Sequence, residues 1–541
     1  MLPTTFHLAD DVNPQARNFA ARQRDYAVFL PSISAIFVRQ ASNPSSRVPT
    51  ALPGGLTDLD FLNPQTNLFY YPAALYSSGH SVWDLEQSDR QESMVQKRDR
   101  SRTVIVGDSG GYQIATGVLK WPWQKKAQWT DGDWTREKDK IRLQILRWLE
   151  HSTDYSMVLD VPTGSLLKFG YDELTGENLH PGVKNFRDCL NSSLENHEFF
   201  IKNRREGATK FMNVLQGRNQ AEGDVWWDAV KDLPFETWAF SNVQASNFAI
   251  NLRRIIIMRD QGYLEGRDWI HYLGNGKIKA GCALTTLQRS MRKLINPKLT
   301  LSYDAASPFV MVAKGHLYHS WVCDDRAMAF KSGTMPDDKS LKGSSELLQR
   351  WIKKLNKKWP DRITSISQKL PVGDLCVKGY QDLQYKKTAF TTAELANDKY
   401  PMSWEGQHGE KHVYSREYRE YLDNQKRGLW QQDAQREWHD HEKYQVKWPS
   451  SLDGMSYVLG MHHNVEMHLD AIISACHDQD LPLSQATQLV TPDLLEFAHG
   501  LCDEILTSER PMDLINKHAK MLGRITGMDA DNHIHLDLKD I

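Results

Sequence analysis

From residue 103 to about 310 the chain alternates short β-branched apolar runs with stretches whose apolar residues recur at helical spacing. TVIVGD (103–108) reads as a strand from its Val and Ile content. It leads to a helix with Ile141, Ile145, Trp148 and Leu149 at i, i+4, i+7 and i+8. SMVLDVP (156–162) is the next strand, followed by a helix around Phe186, Leu190 and Leu194. KFMNVLQG (210–217) precedes a helix near 225–233, and TWAFSN (237–242) precedes one striped by Phe248, Leu252, Ile255 and Ile256. WIHYLGNG (269–276) is followed by Leu284, Leu287, Met291 and Leu294, and TLSYDAASP (300–308) closes the series.

Strands alternating with helices of this length imply parallel βα units. Six units, with room for two more upstream, predict an α/β fold: a (β/α)8 TIM barrel with insertions over residues 1–330. A doubly wound open sheet is the alternative, but no G-x-G-x-x-G follows the first strand. Residues 331–541 lose the alternation and predict a mainly helical C-terminal extension, a nucleic-acid-binding or accessory region.

Asp108, Asp160, Gln216, Asn242 and Asp304 each fall at the C-terminal end of a predicted strand. In a barrel those ends converge on the face where active sites are built. One strand-end Asp alone is commonly a helix cap or turn former; the signal is the set. Two converging carboxylates suit chemistry at a sugar anomeric carbon, one attacking or stabilising the oxocarbenium-like centre while the other moves protons at the leaving group. Tyr112 offers a flat face on which a planar heterocycle could stack, or is a core tyrosine.

GDSGG (107–111) also matches the pentapeptide around the nucleophile of chymotrypsin-like proteases. That reading fails because only His7 and His80 precede Ser109, neither in a suitable context. Tyr112 stands where that family has proline, and helical patterns flank the motif.

Composition narrows the class. Hydrophobic residues make up 40% and charged residues 25%, and the mean hydropathy is −0.57. No apolar run approaches the roughly 18–20 residues of a membrane span, and the N-terminus lacks a signal-peptide pattern, so a cytoplasmic location is expected. The six cysteines are too dispersed for a zinc ribbon or a disulfide framework. A net charge of −2 argues against non-specific coating of nucleic acid but allows a local basic groove.

DSGGYQ (108–113) resembles the signature of the tRNA-guanine transglycosylase superfamily, TIM-barrel enzymes that exchange guanine for a 7-deazaguanine by double displacement at C1′. The resemblance implies Asp108 as general acid/base and Tyr112 as the stacking aromatic, with Ser109 and Gln113 beside the base. Asp160 in SMVLDVPTG is similar to the aspartate that reads the Watson–Crick edge, and Gln216 in NVLQG to the glutamine beside it. LGNG (273–276) resembles the backbone turn closing the pocket, which places Leu273 opposite Tyr112 and puts Gly274 at the base. SYDAASP (302–308) makes Asp304 the nucleophile that forms the covalent glycosyl-enzyme.

Two departures bear on the substrate. Ser241-Asn242 replaces a Gly-Gly, so Asn242 would supply side-chain contacts where the family uses backbone amides. The Cys-x-Cys-x-x-Cys…His zinc site of tRNA-modifying members is missing after the nucleophile, so no metal site is expected. A zinc-less relative with a long C-terminal extension is most similar to the DpdA-type DNA 7-deazaguanine transglycosylases of bacteria and phages. FYYPAALYSSGH (69–80) is either part of that likeness or a buried aromatic strand entering the barrel. The expected function is exchange of guanine in DNA, duplex or locally single-stranded, for a free 7-deazaguanine (preQ0-like) base, with that base as co-substrate and no other cofactor. An RNA-directed enzyme or a catalytically silent nucleic-acid-binding barrel is the alternative.

In SSELLQRWIKKLNKKWP (344–360), Leu348, Trp351, Ile352, Leu355 and Trp359 are expected on one helical face. Lys353, Lys354, Lys357 and Lys358 on the adjoining face are either a solvated surface or a phosphate-tracking stripe. Further basic clusters lie at 96–102, 202–205 and 289–293, and 371–412 reads as a turn-rich connection. Thr491-Pro492-Asp493 marks a helix start. His462, His463, Glu466 and His468 share a helical turn and are expected to be surface residues.

Overall fold

Eight parallel strands hydrogen-bond into one sheet: β1 (Val28–Pro31), β2 (Ala73–Ser77), β3 (Val104–Asp108), β4 (Tyr155–Met157), β5 (Lys210–Leu215), β6 (Thr237–Phe240), β7 (Trp269–Tyr272) and β8 (Thr300–Ala305). The order β1-β8-β7-β6-β5-β4-β3-β2 brings its two edges together. There Ser32 bridges Leu75 and the Ile33 N–H bonds the Leu75 carbonyl at 2.9 Å, so the sheet is nearly closed and barrel-like. The computed structural model describes residues 11–526 apart from 116, 165, 167–182, 324–327, 357, 360, 379–402, 406–410, 414–449 and 482–490. Most of the turn-rich 371–412 connection lies outside the described residues.

The strands are apolar runs because both faces are covered: β1, β2, β6 and β7 are buried at every position. Residues 69–78 are buried and include β2, so the segment does carry an aromatic strand entering the barrel. Outside the sheet run α1 (Ala35–Ser42), α2 (Leu85–Gln91), α3 (Asp131–Ser152), α4 (Phe186–Asn203), α5 (Gln220–Val230), α6 (Phe248–Asp260) and α7 (Ile278–Leu294). The expected stripes face inward: Ile145, Trp148 and Leu149 of α3, Phe186 and Leu190 of α4, and Leu284, Leu287 and Met291 of α7 are buried. Leu294, the last residue of α7, is exposed instead. The α3 start is fixed by a reciprocal Thr130–Asp133 capping box.

The eighth helix of the ring comes from far along the chain. After β8 the chain makes a short helix (Ser307–Ala313) and an antiparallel hairpin (His316–Cys323 with Met328–Thr334). It returns as α8 (Gly454–Gln479), which packs against both α7 and α1. Gln479 Nε2 donates to Thr286 of α7 at 2.5 Å, and Arg47, beyond α1, bonds the α8 cap residue Asp453 at 2.9 Å. Residues beyond 330 therefore complete the barrel layer.

This placement overturns the surface assignment of the α8 histidines. His462, His463, Glu466 and His468 are all buried, because α8 lies between the sheet and segments around residues 17, 318 and 365. His463 joins the Tyr318 carbonyl to the Thr364 hydroxyl, at 2.7 Å each. Glu466 accepts from Ser365 and pairs with Arg17 at 2.9 Å. His468 stacks on Phe29 of β1, with centroids 4.5 Å apart. Burial pushes the His462 and His468 imidazoles down to about 3, so they stay neutral. A polar-looking run is thus an interior seam, hydrogen-bonded at His463 and Glu466.

The 344–360 helix is shorter than its pattern predicts, Leu348–Leu355, so Trp359 lies past its end. Thr491 does cap the helix Pro492–Glu496 by position, though its hydroxyl makes no cap bond.

If α8 is integral to the barrel, Leu469→Ala costs about 2–5 kcal/mol, the range for a buried leucine. Ile363→Ala, at a side chain exposed to solvent, changes stability by less than about 0.5 kcal/mol. Urea denaturation of both variants measures the contrast; equal effects would place α8 outside the core.

Candidate active site

The carboxyl ends of β3, β4 and β8 carry Asp108, Asp160 and Asp304 to one mouth of the barrel. β8 alternates: Tyr303 is buried against the helix layer, whereas Ser302 and Asp304 belong to the other face. The three aspartates interact electrostatically, Asp304 with Asp108 and Asp108 with Asp160.

Asp108 accepts from Ser77 Oγ at 2.7 Å and from the Gly110 N–H at 3.2 Å. Burial nonetheless holds its carboxyl above the ordinary range, and the neighbouring Asp304 charge adds to this; the two hydrogen bonds and His80 work against it. Asp160 is pushed up to about 7, mainly by burial and further by Asp108, against the hydrogen bond from Gln216. Burial thus raises the carboxyls of both Asp108 and Asp160.

The Gly110-Gly111 turn is dictated by contact. Gly110 has φ +88°, and a Cβ on Gly111 would lie 2.5 Å from the Asp160 carbonyl oxygen. Ser109 is fully buried, and its hydroxyl donates to the Val158 carbonyl at 3.1 Å. It is a structural brace. Gln113 is buried and lies 3.1 Å from His80 Nε2 and 3.3 Å from Ser77 Oγ. Tyr112 has half its surface open, so the core-tyrosine alternative falls.

Gln216 donates to Asp160 and accepts from Asn242, whose amide also donates to Thr163 Oγ1 at 2.9 Å. Asn242 sits at φ +48°, so this position keeps a left-handed backbone that asparagine tolerates. Its amide N–H group braces Gln216.

The β7 turn holds Asp304. Gly274, exposed and at φ +68°, gives its N–H to Asp304 Oδ1 at 2.6 Å. Leu273 is half-buried and bonds back to Phe240 of β6 at 2.9 Å. Beneath Asp304 lies fully buried His271, with Nε2 3.4 Å from Oδ1. Trp269 Nε1 donates to Ser302 Oγ at 2.7 Å, and Ser302 lies 2.9 Å from His271 Nδ1. Ser302 thus fixes the ring beneath Asp304, although Nε2 makes no hydrogen bond to the carboxylate.

The sequence reading missed His271, Ser77, His80 and Thr163. The signal for His271 was available: it precedes LGNG by two residues on an apolar strand, so it shares a face with Leu273. Ser77 and His80 sit in SSGH at the end of β2, a strand-end polar cluster like the others.

The basic stretches carry partners of their own. Lys353 and Lys354 pair with Asp361 and Glu346, and Lys358 lies over Trp359; Lys357 is outside the described residues. Arg98, Arg204 and Arg289 of the other clusters are held by Asp154, Glu236 and Asp25. Among the described residues no group of three His, Cys, Asp or Glu side chains is placed to hold a metal ion, and no helix is long and apolar enough to cross a membrane.

Between about pH 4 and pH 7 the folded chain keeps a proton on Asp160 that the unfolded chain has lost. The contribution of Asp160 therefore favours the fold at low pH and declines as pH rises through 7, by about 1.4 kcal/mol per pH unit within the window. Asp160→Asn removes this slope, so the variant gains stability relative to wild type as pH rises between about pH 4 and pH 7. A pH-independent difference in urea midpoints would contradict the buried, raised carboxyl.

No protein-family model matches the chain, and no curated protein matches it.

Proposed function

We propose that this protein is a transglycosylase that exchanges guanine in DNA for a free 7-deazaguanine base through a covalent glycosyl-aspartate. The observation that carries the reading is the pairing of Asp304, held by a backbone N–H, with Asp108, a carboxyl raised by burial in the same mouth. Two carboxyl groups with different environments suit a nucleophile and a proton-transferring partner.

In the first step an Asp304 oxygen attacks C1′, and the C1′–N9 bond breaks with its electron pair leaving on guanine. Asp108 gives that base its proton. The incoming 7-deazaguanine loses its N9 proton to Asp108, and N9 then attacks C1′ and displaces Asp304. Two inversions give retention. One N-glycosidic bond replaces another, so the exchange requires no nucleotide hydrolysis.

Asp160 accepts from the N1–H and exocyclic amine of the base when ionised, and Gln216 is held beside it by Asn242. In this reading the half-open Tyr112 ring is the stacking face, and Leu273 with the Gly274 turn closes the other side of the base. The target nucleotide must leave the stack to reach such a mouth. His271 steadies Asp304 from below.

The test is incorporation of labelled 7-cyano-7-deazaguanine into DNA, with tRNA in parallel. Wild type should label DNA, Asp304→Asn should label nothing and trap no covalent adduct, and Asp108→Asn should slow exchange by about 10²–10⁴-fold. Label in tRNA alone would refute the DNA assignment, and full activity of Asp304→Asn would refute the nucleophile. His271→Ala should lower the exchange rate with little change in KM for the base, because it touches Asp304 and not the base.

A further inference from the structure

The connection from the Gly111–Ala115 helix to α3 contains KWPWQKKAQW (120–129), three tryptophans and three lysines in ten residues. It leaves from the carboxyl end of β3, the end that carries Asp108. Its first residues are tied to the pocket motif: Leu119 is buried and its N–H bonds the Gln113 carbonyl at 2.9 Å. Its far end is braced where Trp134 Nε1 donates to the Pro122 carbonyl at 2.6 Å.

Between these anchors the indoles are left half-covered. Trp121 and Trp123 pack together with centroids 6.3 Å apart, the Arg142 guanidinium lies 5.6 Å from the Trp121 ring, and the Lys126 ammonium lies 4.5 Å over Trp129. Residues 124–128 are all exposed, Val118 is 62% exposed, and half-open Tyr112 precedes them on the same segment. A run of partly open aromatic surface beside a cleft favours a partner that covers it. Lys120, Lys125 and Lys126 are exposed on this segment, and the ion pair to Asp131 engages only Lys125.

We propose that residues 118–129 are a platform for unpaired nucleotides adjoining the one whose base enters the pocket, with the indoles stacking on bases and the lysines meeting phosphates. Aromatic faces interleaved with cations suit a single strand, since every base has a π-face and every linkage a charge. A duplex presents no open base face to an indole. The proposal rests on the transglycosylase reading for the occupant of the pocket, but it is tested by binding and not by turnover.

The experiment is fluorescence anisotropy of the full-length protein with a fluorescein-labelled single-stranded DNA, the matched duplex as competitor, and calorimetry of 7-cyano-7-deazaguanine in parallel. Trp123→Ala is expected to weaken single-strand binding by about tenfold to a hundredfold, the range for loss of one stacked base. Lys125→Ala/Lys126→Ala is expected to flatten the salt dependence by about 1.4 in log–log slope. Neither variant should alter the affinity for the free base, and both should unfold as wild type does. Lys353→Ala/Lys354→Ala, on a different helix, should bind as wild type. The platform is overturned if both loop variants bind the single strand normally, or if the 353/354 variant carries the loss. It is also overturned if wild type binds the base but no DNA, an outcome that leaves the pocket chemistry standing. Failure to bind the base with normal DNA binding would refute the pocket reading alone.

Discussion

The seam between β1 and β2 is the constraint on which the pocket depends. In the strand order β1-β8-β7-β6-β5-β4-β3-β2 the two proposed catalytic strands, β8 and β3, lie next to opposite edges. In an open sheet they would stand five strand spacings apart, about 24 Å at 4.8 Å each. Closure brings Asp304 near enough to Asp108 to raise its carboxyl. The seam that achieves this is slight: the Ser32–Leu75 bridge, the Ile33-to-Leu75 hydrogen bond, and Tyr71 Oη donating to the Phe29 carbonyl at 2.6 Å. Ser32 extends the link to β8 by bonding the Ala305 carbonyl at 3.1 Å, one residue past Asp304.

Closing a barrel over three carboxylates concentrates like charge in a poorly solvated mouth, and the local structure answers each one differently. Asp304 keeps a backbone N–H at 2.6 Å and a buried imidazole below. Asp108 takes a serine hydroxyl and a weaker N–H, which offset only part of the desolvation. Asp160 has the Gln216 amide, itself oriented by Asn242, so donors run in one direction from Asn242 through Gln216 to the carboxyl. Different partners give groups of one chemical type different surroundings, which is the condition for assigning them separate roles.

The barrel core was legible because parallel strands and their helices write strong, different periods: VIV before Asp108 and Ile145/Trp148/Leu149 behind it both lie where the pattern puts them. The strand-end polar set was legible for the same reason, since a barrel needs only strand order to gather Asp108, Asp160, Gln216, Asn242 and Asp304. His271 is easily passed over because an inward-facing histidine in WIHY looks like an interruption of an apolar strand, although its two-residue spacing from Leu273 marks the face. The α8 histidines were misread because helical spacing reports which residues share a face, not whether another layer covers that face. Here the covering layer comes from residues around 17 and 365, far away in sequence, and no local pattern encodes it.

That covering layer also ties the C-terminal half of the chain to the chemistry. His468 of α8 stacks on Phe29 at the seam and gives its Nε2 proton to the Gly276 carbonyl at 2.8 Å. Gly276 ends the turn whose Gly274 N–H holds Asp304. A path of two hydrogen bonds and one short turn thus joins a helix at 454–479 to the proposed nucleophile, and the neutral form of His468 imposed by burial suits a single donated bond. The segment between β8 and α8 is, by chain order, the eighth βα connection of the barrel, and such connections emerge on the catalytic face. The hairpin of His316–Cys323 and Met328–Thr334 belongs to that connection and packs on α8. Through the His468 bond to Gly276, α8 keeps the turn that holds Asp304 in place.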